Sequence, residues 1–190
     1  MGTRIWDTQD SPSTMLLRSD ASGEDGWGVC ISHFHIVGPW PEELASEHML
    51  FKELVPVVIA LSLISDKIPE TVFGSAVDNT GAAFALNSLA CRDKISLRLL
   101  QQLAQDLQNG GHTVLASHVR RFRNEHADLL SHSLFPAWWR DIIEHQKRRK
   151  KQSGRSFWRF PLVVQCLKSG DCLSGQFRMR SELFTSGAKT

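Results

Sequence analysis

Three short apolar segments lie close together near the start of this 190-residue chain, and strand-like and helical segments alternate after them. The segments at 15–20, 27–32 and 35–40 predict an antiparallel meander, because only short turn-rich stretches separate them. Downstream, apolar residues recur every three to four positions in some segments and form short runs in others. The predicted order of elements is β-β-β-α-β-α-α-β-α, which indicates an α/β fold.

The segment from Lys94 to Asn109 is the clearest predicted helix, because leucine or isoleucine recurs at every fourth position until Gly110 and Gly111 end it. An earlier helix is predicted over 45–64, where Pro56 should either kink the helix or mark a late start. The remaining predicted elements are two strands, at 71–77 and 113–119, and two short helices, at 82–89 and 124–132.

Composition excludes several function classes. The chain has no tyrosine, so chemistry with a tyrosine nucleophile and a polymerase palm with a Tyr-x-Asp-Asp box are ruled out. The longest apolar stretch, 54–64, falls short of the roughly 20 residues that a membrane-spanning helix needs. The first 13 residues contain no apolar run typical of a signal peptide, and the four cysteines form no Cys-x-x-Cys pair. We therefore expect reduced thiols in a cytoplasmic or nuclear protein that is not secreted and has no membrane partner.

Charge and composition together divide the chain into three parts. Residues 1–139 carry a net charge of −6 and residues 140–190 a net charge of +8. We predict a linker at 1–14, a folded domain at 15–135 and a basic, poorly ordered extension at 136–190. The basic run at 147–151 has three interpretations: a nuclear targeting signal, a phosphate contact or a disordered segment.

Four carboxylates stand at the ends of predicted strands or on predicted helices: Asp20, Glu53, Asp78 and Asp128. Each has a structural explanation as well: a turn former (Asp20), a solvated side chain (Glu53), a helix cap (Asp78) and a favourable partner of the helix dipole (Asp128). If the first and fourth strands are neighbours, Asp20 and Asp78 meet at one edge of the sheet. The flanking helices could then bring Glu53 and Asp128 to the same place.

Short sequence motifs surround these carboxylates: Ser19-Asp20-Ala21-Ser22 followed by Gly26-Trp27-Gly28; Phe51-Lys52-Glu53-Leu54; Val77-Asp78-Asn79-Thr80-Gly81-Ala82; and Asn124-Glu125-His126-Ala127-Asp128-Leu129-Leu130-Ser131. With these motifs in this order, the stretch from about 15 to 135 resembles the ribonuclease H family. It looks most like the ribonuclease H domain of retroelement polyproteins, particularly the DIRS-like elements that carry a tyrosine recombinase.

The resemblance implies a ribonuclease H-like fold, with a five-stranded mixed sheet of three antiparallel and then two parallel strands flanked by helices. It implies metal-dependent hydrolysis of the RNA strand of an RNA/DNA hybrid, with an adjoining reverse transcriptase domain as partner. The implied catalytic residues, which are also the implied metal ligands, are Asp20, Glu53, Asp78 and Asp128. They would hold two ions of Mg²⁺ or, alternatively, of Mn²⁺. Asn79, Arg121 and Arg123 are candidate contacts to the nucleic acid, and a solvated basic loop is the alternative for the two arginines.

The chain departs from the family in the loop before the last helix, where many members have a mobile histidine that is thought to help product release. Residues 119–123 contain no histidine, although His118 and His126 flank them, so we expect slower turnover. Two other functions stay open: a non-catalytic nucleic-acid-binding module or degenerate fragment, and a transposase or integrase of the same superfamily. The last of these generally places its glutamate last, whereas Glu53 comes second here.

Overall fold

A computed structural model describes residues 13–32, 34–132, 157–166 and 172–180 of the chain. Its strands are β1 (Ser13–Ala21), β2 (Gly26–Ile31), β3 (Phe34–Pro39), β4 (Thr71–Val77), β5 (Thr113–His118), β6 (Phe157–Cys166) and β7 (Cys172–Arg180). Its α-helices are α1 (Met49–Ile64), α2 (Thr80–Ser88), α3 (Lys94–Gly110) and α4 (Glu125–Ser131), and two short 3₁₀ helices cover Glu42–Leu44 and Arg121–Arg123. Up to α4, the α-helices and strands follow the predicted order.

The first five strands form a mixed sheet in the order β3-β2-β1-β4-β5. β1 pairs with β2, and β2 with β3, in antiparallel fashion, whereas β1–β4 and β4–β5 are parallel pairs. The three antiparallel strands come from the meander, and the parallel pairs require the helical crossovers that α1, α2 and α3 provide. This strand order and these directions confirm the predicted ribonuclease H-like fold.

The sheet continues beyond β3 through the hairpin of β6 and β7. β6 pairs with β3 antiparallel, with Val37 opposite Val163, and β7 pairs with β6. The short apolar segments here show no sustained period, so the sequence pattern predicts neither strand. The proposed domain boundaries stay predictions. Residues 1–12 of the predicted linker and the basic run at 147–151 lie outside the described residues.

The main core lies between one face of the sheet and the α1–α3 layer. α1 is apolar on most of its surface and is buried from Phe51 through Leu61, while α3 contributes one leucine stripe, Leu99, Leu103 and Leu107 among it. α1 begins at Met49, where the His48 ring accepts a hydrogen bond from the Leu50 N–H. Pro56 lies inside this helix and does not end it.

The helix α4 packs across β1 and β2 at Gly28. A Cβ atom at Gly28 would lie 2.4 Å from the Leu130 Cβ and 3.0 Å from the Ser131 nitrogen, so a side chain there would push the helix away. Glycine at this position therefore allows the close approach of helix and sheet on which the candidate site depends.

Of the helices that the structure describes, none is long and apolar enough to cross a membrane.

Candidate metal centre

The parallel pairing of β1 and β4 brings two carboxylates to the same edge of the sheet. The register places Arg18 opposite Ala76, so Asp20 and Asp78 lie two residues further along the same pair of strands. Asp20 is buried within β1, and Asp78 follows β4 at an intermediate depth. Their convergence follows directly from the crossover connection that makes the two strands parallel.

Glu53 reaches the same edge from α1. Its side chain is buried, and its carboxylate, with those of Asp20 and Asp78, forms a group whose ligand atoms lie within 4.8 Å of one another. Among the described residues, Glu53 Oε2 has no hydrogen-bond partner although it is buried. An unpartnered, buried carboxylate oxygen is costly without a proton or a cation, so this group has the character of a cation site.

Asp128 enters the site from the other face of the sheet, on α4. The Asn124 side chain at the start of this helix donates a 2.8 Å hydrogen bond to the Ser19 carbonyl, and at its end Ser131 Oγ donates a 2.5 Å bond to Asp20 Oδ2. Asp20, Asp128 and His132 form a second group with ligand atoms within 4.8 Å of one another. Asp20 therefore belongs to both groups.

His132 and Ser131 are site residues that the sequence motifs do not single out. His132 lies four residues after Asp128, a spacing that puts both side chains on one face of a helix and could have drawn attention to it. The resemblance to the family instead implies a histidine in the loop before α4. In the part of the chain that the structure describes, neither His118 nor His126 belongs to a candidate metal group.

Burial and crowding raise the pKa of the carboxyls at the centre of the site. For Asp20, burial raises the pKa most, the hydrogen bond from Ser131 lowers it, and the charges of Asp78 and Asp128 raise it further. For Glu53, burial first and then the charges of Asp20 and Asp78 raise the pKa to about 9. Without a metal, the site therefore keeps a proton on Glu53 at neutral pH.

Arg121 binds a carboxylate of the site in this structure. Its Nε donates a 2.7 Å hydrogen bond to Asp128 Oδ1, and its terminal nitrogen lies 2.5 Å from the same oxygen. The hydrogen bond to Asp128 and that residue's charge raise the pKa of the guanidinium. The predicted contact between Arg121 and nucleic acid stays a prediction, and in this state the side chain neutralises Asp128.

The other two candidate nucleic-acid contacts lie nearby. The Asn79 side chain caps α2 by accepting a 3.1 Å hydrogen bond from the Ala82 N–H. Arg123 is exposed, and its guanidinium lies 5.8 Å from the centre of the equally exposed Phe122 ring. Their roles in binding remain untested predictions.

A buried lysine holds the turn after Asp20 in place. Lys52, the neighbour of Glu53, is buried, and its ammonium donates hydrogen bonds to the carbonyls of Gly23 and Ala45 and lies 5.6 Å from the centre of the Trp40 ring. Trp40 Nε1 donates to the Ser22 carbonyl in the same turn. These contacts fix the loop between β1 and β2, which carries Asp25 beside His132.

The donor atoms fit a hard divalent cation. Asp20, Glu53 and Asp78 offer only carboxylate oxygens, the ligands that Mg²⁺ and Mn²⁺ take, and Glu53 Oε2 is a buried oxygen that a cation would satisfy. These three residues would hold one ion, and Asp20 with Asp128 would hold another.

Comparisons with known proteins give structural similarities. No protein-family profile and no curated protein matches the sequence. The crystal structure of RNase H1 from the halophilic archaeon Halobacterium salinarum NRC-1 is similar at 18% identity with a TM-score of 0.45, over 63% of this chain and 94% of that one. The structure of LC11-RNase H1, isolated from compost by a metagenomic approach, is similar at 12% identity with a TM-score of 0.40, over 62% of this chain and 92% of that one. The fold class follows from the strand order and directions described above.

Proposed function

We propose that this protein is a metal-dependent endonuclease that hydrolyses the RNA strand of RNA/DNA hybrids. The observation that carries the proposal is the group of Asp20, Glu53 and Asp78, three carboxylates within 4.8 Å of one another with a buried oxygen that has no partner among the described residues. A purely structural cluster of acids would be selected to have its buried oxygens hydrogen-bonded.

The proposed chemistry is an in-line displacement at phosphorus. A pair of divalent ions at such a site would activate a water molecule and stabilise the leaving oxygen. Asp20 belongs to both groups of possible ligands, and the hydrogen bond from Ser131 keeps its Oδ2 oriented. Arg121 would have to release Asp128 Oδ1 for that oxygen to serve as a ligand, because its guanidinium now binds it.

Substrate choice would rest on groups around the metal site. The ribose 2′-hydroxyl is what distinguishes an RNA strand from a DNA strand in a groove. Asn79, Arg121 and Arg123 are the proposed contacts to the strands. We also propose, from the motifs around the four acids, that the domain comes from a DIRS-like retroelement polyprotein and acts beside a reverse transcriptase domain. Reading frames for a reverse transcriptase and a tyrosine recombinase next to its gene would support this origin.

The test is cleavage of a duplex labelled on its RNA strand, in Mg²⁺, beside RNA/RNA and DNA/DNA duplexes. We expect cleavage of the hybrid alone, its loss in EDTA and its loss in Asp20→Asn. The matched control is Asp66→Asn, because the Asp66 side chain is 75% exposed and lies outside both groups. Binding of the hybrid without any cleavage by the wild type would refute the nuclease and favour the non-catalytic module.

A further inference from the structure

We propose that His132 supplies a nitrogen ligand to the cation held by Asp20 and Asp128, so that this half of the site prefers a first-row transition cation to Mg²⁺. The inference takes the metal centre of the proposed function as its starting point and assigns it a ligand and a selectivity. His132 Nε2 lies 3.9 Å from Asp128 Oδ1, and ligand atoms of all three residues lie within 4.8 Å of one another.

The hydrogen bonds around His132 fix the tautomer that can bind a metal. Its Nδ1 lies 3.1 Å from Asp25 Oδ2, and a carboxylate can only accept, so Nδ1 carries the hydrogen. Its Nε2 lies 3.3 Å from a terminal nitrogen of Arg121, which can only donate, so Nε2 presents its lone pair. A carboxylate behind one ring nitrogen, with the other nitrogen free to coordinate, is the usual arrangement of metal-binding histidines.

A cation already occupies the place in question. The Arg121 guanidinium donates to Asp128 Oδ1 and to His132 Nε2 at the same time. The side chain of Arg121 is 66% exposed, so it can leave toward solvent when a metal ion competes for the same two atoms. A second, independent observation points to a cation. The adjoining group shares Asp20 and contains Glu53, whose buried Oε2 has no partner among the described residues and would be satisfied by a positive charge.

The nitrogen donor sets the selectivity. Mg²⁺ is usually bound through oxygen, whereas imidazole suits transition cations, which bind a given set of ligands increasingly tightly along the first row. The group of Asp20, Glu53 and Asp78 contains oxygen donors only, so the two halves of the site should differ in their preference.

The experiment uses Mn²⁺ alone as the probe, because its electron spin reports a directly bound nitrogen. We expect nitrogen modulation in the pulsed electron paramagnetic resonance spectrum of the Mn²⁺-loaded full chain, and its loss in His132→Gln. The matched control is His126→Gln, an exposed histidine of the same helix, which should keep the modulation. In separate competition titrations with Ni²⁺ and Mg²⁺, we expect His132→Gln to weaken Ni²⁺ binding about tenfold or more and to change Mg²⁺ binding less than about threefold.

Each result bears on one claim. Bound Mn²⁺ without nitrogen modulation, or modulation that persists in His132→Gln, overturns the ligand assignment. Equal losses of Ni²⁺ and Mg²⁺ affinity overturn the selectivity. Cleavage of the hybrid without nitrogen coordination supports the proposed function and overturns this inference. Nitrogen coordination without cleavage of the hybrid supports this inference and overturns the proposed function.

Discussion

Replacing Glu53 by Gln should stabilise the metal-free protein at neutral and alkaline pH. Burial and the charges of Asp20 and Asp78 raise the pKa of Glu53 from its ordinary 4.5 to about 9, so the folded protein keeps a proton that the unfolded chain releases. The proton is bound in both states below pH 4.5, and stability is then lost as the pH rises toward 9. Glutamine at this position carries no charge at any pH and escapes the loss.

The size of the effect follows from the same shift. Between pH 4.5 and 9, each pH unit lowers the free energy of unfolding of the wild type by about 1.4 kcal/mol, which amounts to about 3 kcal/mol at pH 7. For a chain of this size, that difference corresponds to a melting temperature roughly 10 °C higher for Glu53→Gln. The advantage should grow at pH 8 and vanish near pH 4.5.

Urea titrations in EDTA at several pH values, on wild type and Glu53→Gln, measure this difference. Glu24→Gln is the control, because Glu24 is an exposed carboxyl of the nearby turn and lies outside both groups of candidate ligands. Adding Mg²⁺ should remove most of the gap, since a cation replaces the proton in the wild type. A stability difference that does not change with pH, or a destabilised Glu53→Gln at pH 7, would refute the shared, crowded pocket.

Three further substitutions test the site and its support. Asp78→Asn should abolish hybrid cleavage yet raise the melting temperature in EDTA by roughly 2–4 °C, about 1 kcal/mol of relieved repulsion; a variant that stays active or melts much lower contradicts the model of a shared site. In Gly28→Ala, the new methyl group should meet Leu130 and push α4 away from β2. We expect a loss of about 1–3 kcal/mol of stability and of at least about tenfold in Mn²⁺ affinity. Unchanged metal binding would show that α4 does not position the site. The Asn87 side chain donates a hydrogen bond to the Ala116 carbonyl and accepts one from the Ala116 N–H, each at 2.8 Å. Asn87→Ala should therefore destabilise the protein by about 1–2 kcal/mol and speed hydrogen exchange at the Ala116 amide without changing cleavage. Equal exchange rates in the variant and the wild type would contradict this.

The sequence predicts the central fold well because its signals are local. Turn-rich gaps between apolar segments mark the meander, and four-residue spacing marks α3. The hairpin of β6 and β7 is not predicted, because its pairing with β3 joins segments more than a hundred residues apart and its apolar residues show no periodicity.

The site is predicted only in part. The positions of Asp20 and Asp78 at strand ends carry their own signal, and the structure brings them together with Glu53. The ion pair of Arg121 with Asp128 could not be predicted, because it depends on where the 3₁₀ turn that carries Arg121 lies relative to α4. The catalytic roles of the four carboxylates stay predictions until cleavage is measured.

The membership of Asp20 in both groups would make the two proposed ion sites one thermodynamic system. An ion bound beside Glu53 would take electron density from the carboxylate that a second ion needs, and it would also weaken the repulsion between Asp20 and Asp128. By reciprocity, each ion must alter the affinity for the other by the same factor. Titration of the protein with divalent ions should therefore depart from the curve of two independent sites, and the departure measures how strongly one side chain couples them.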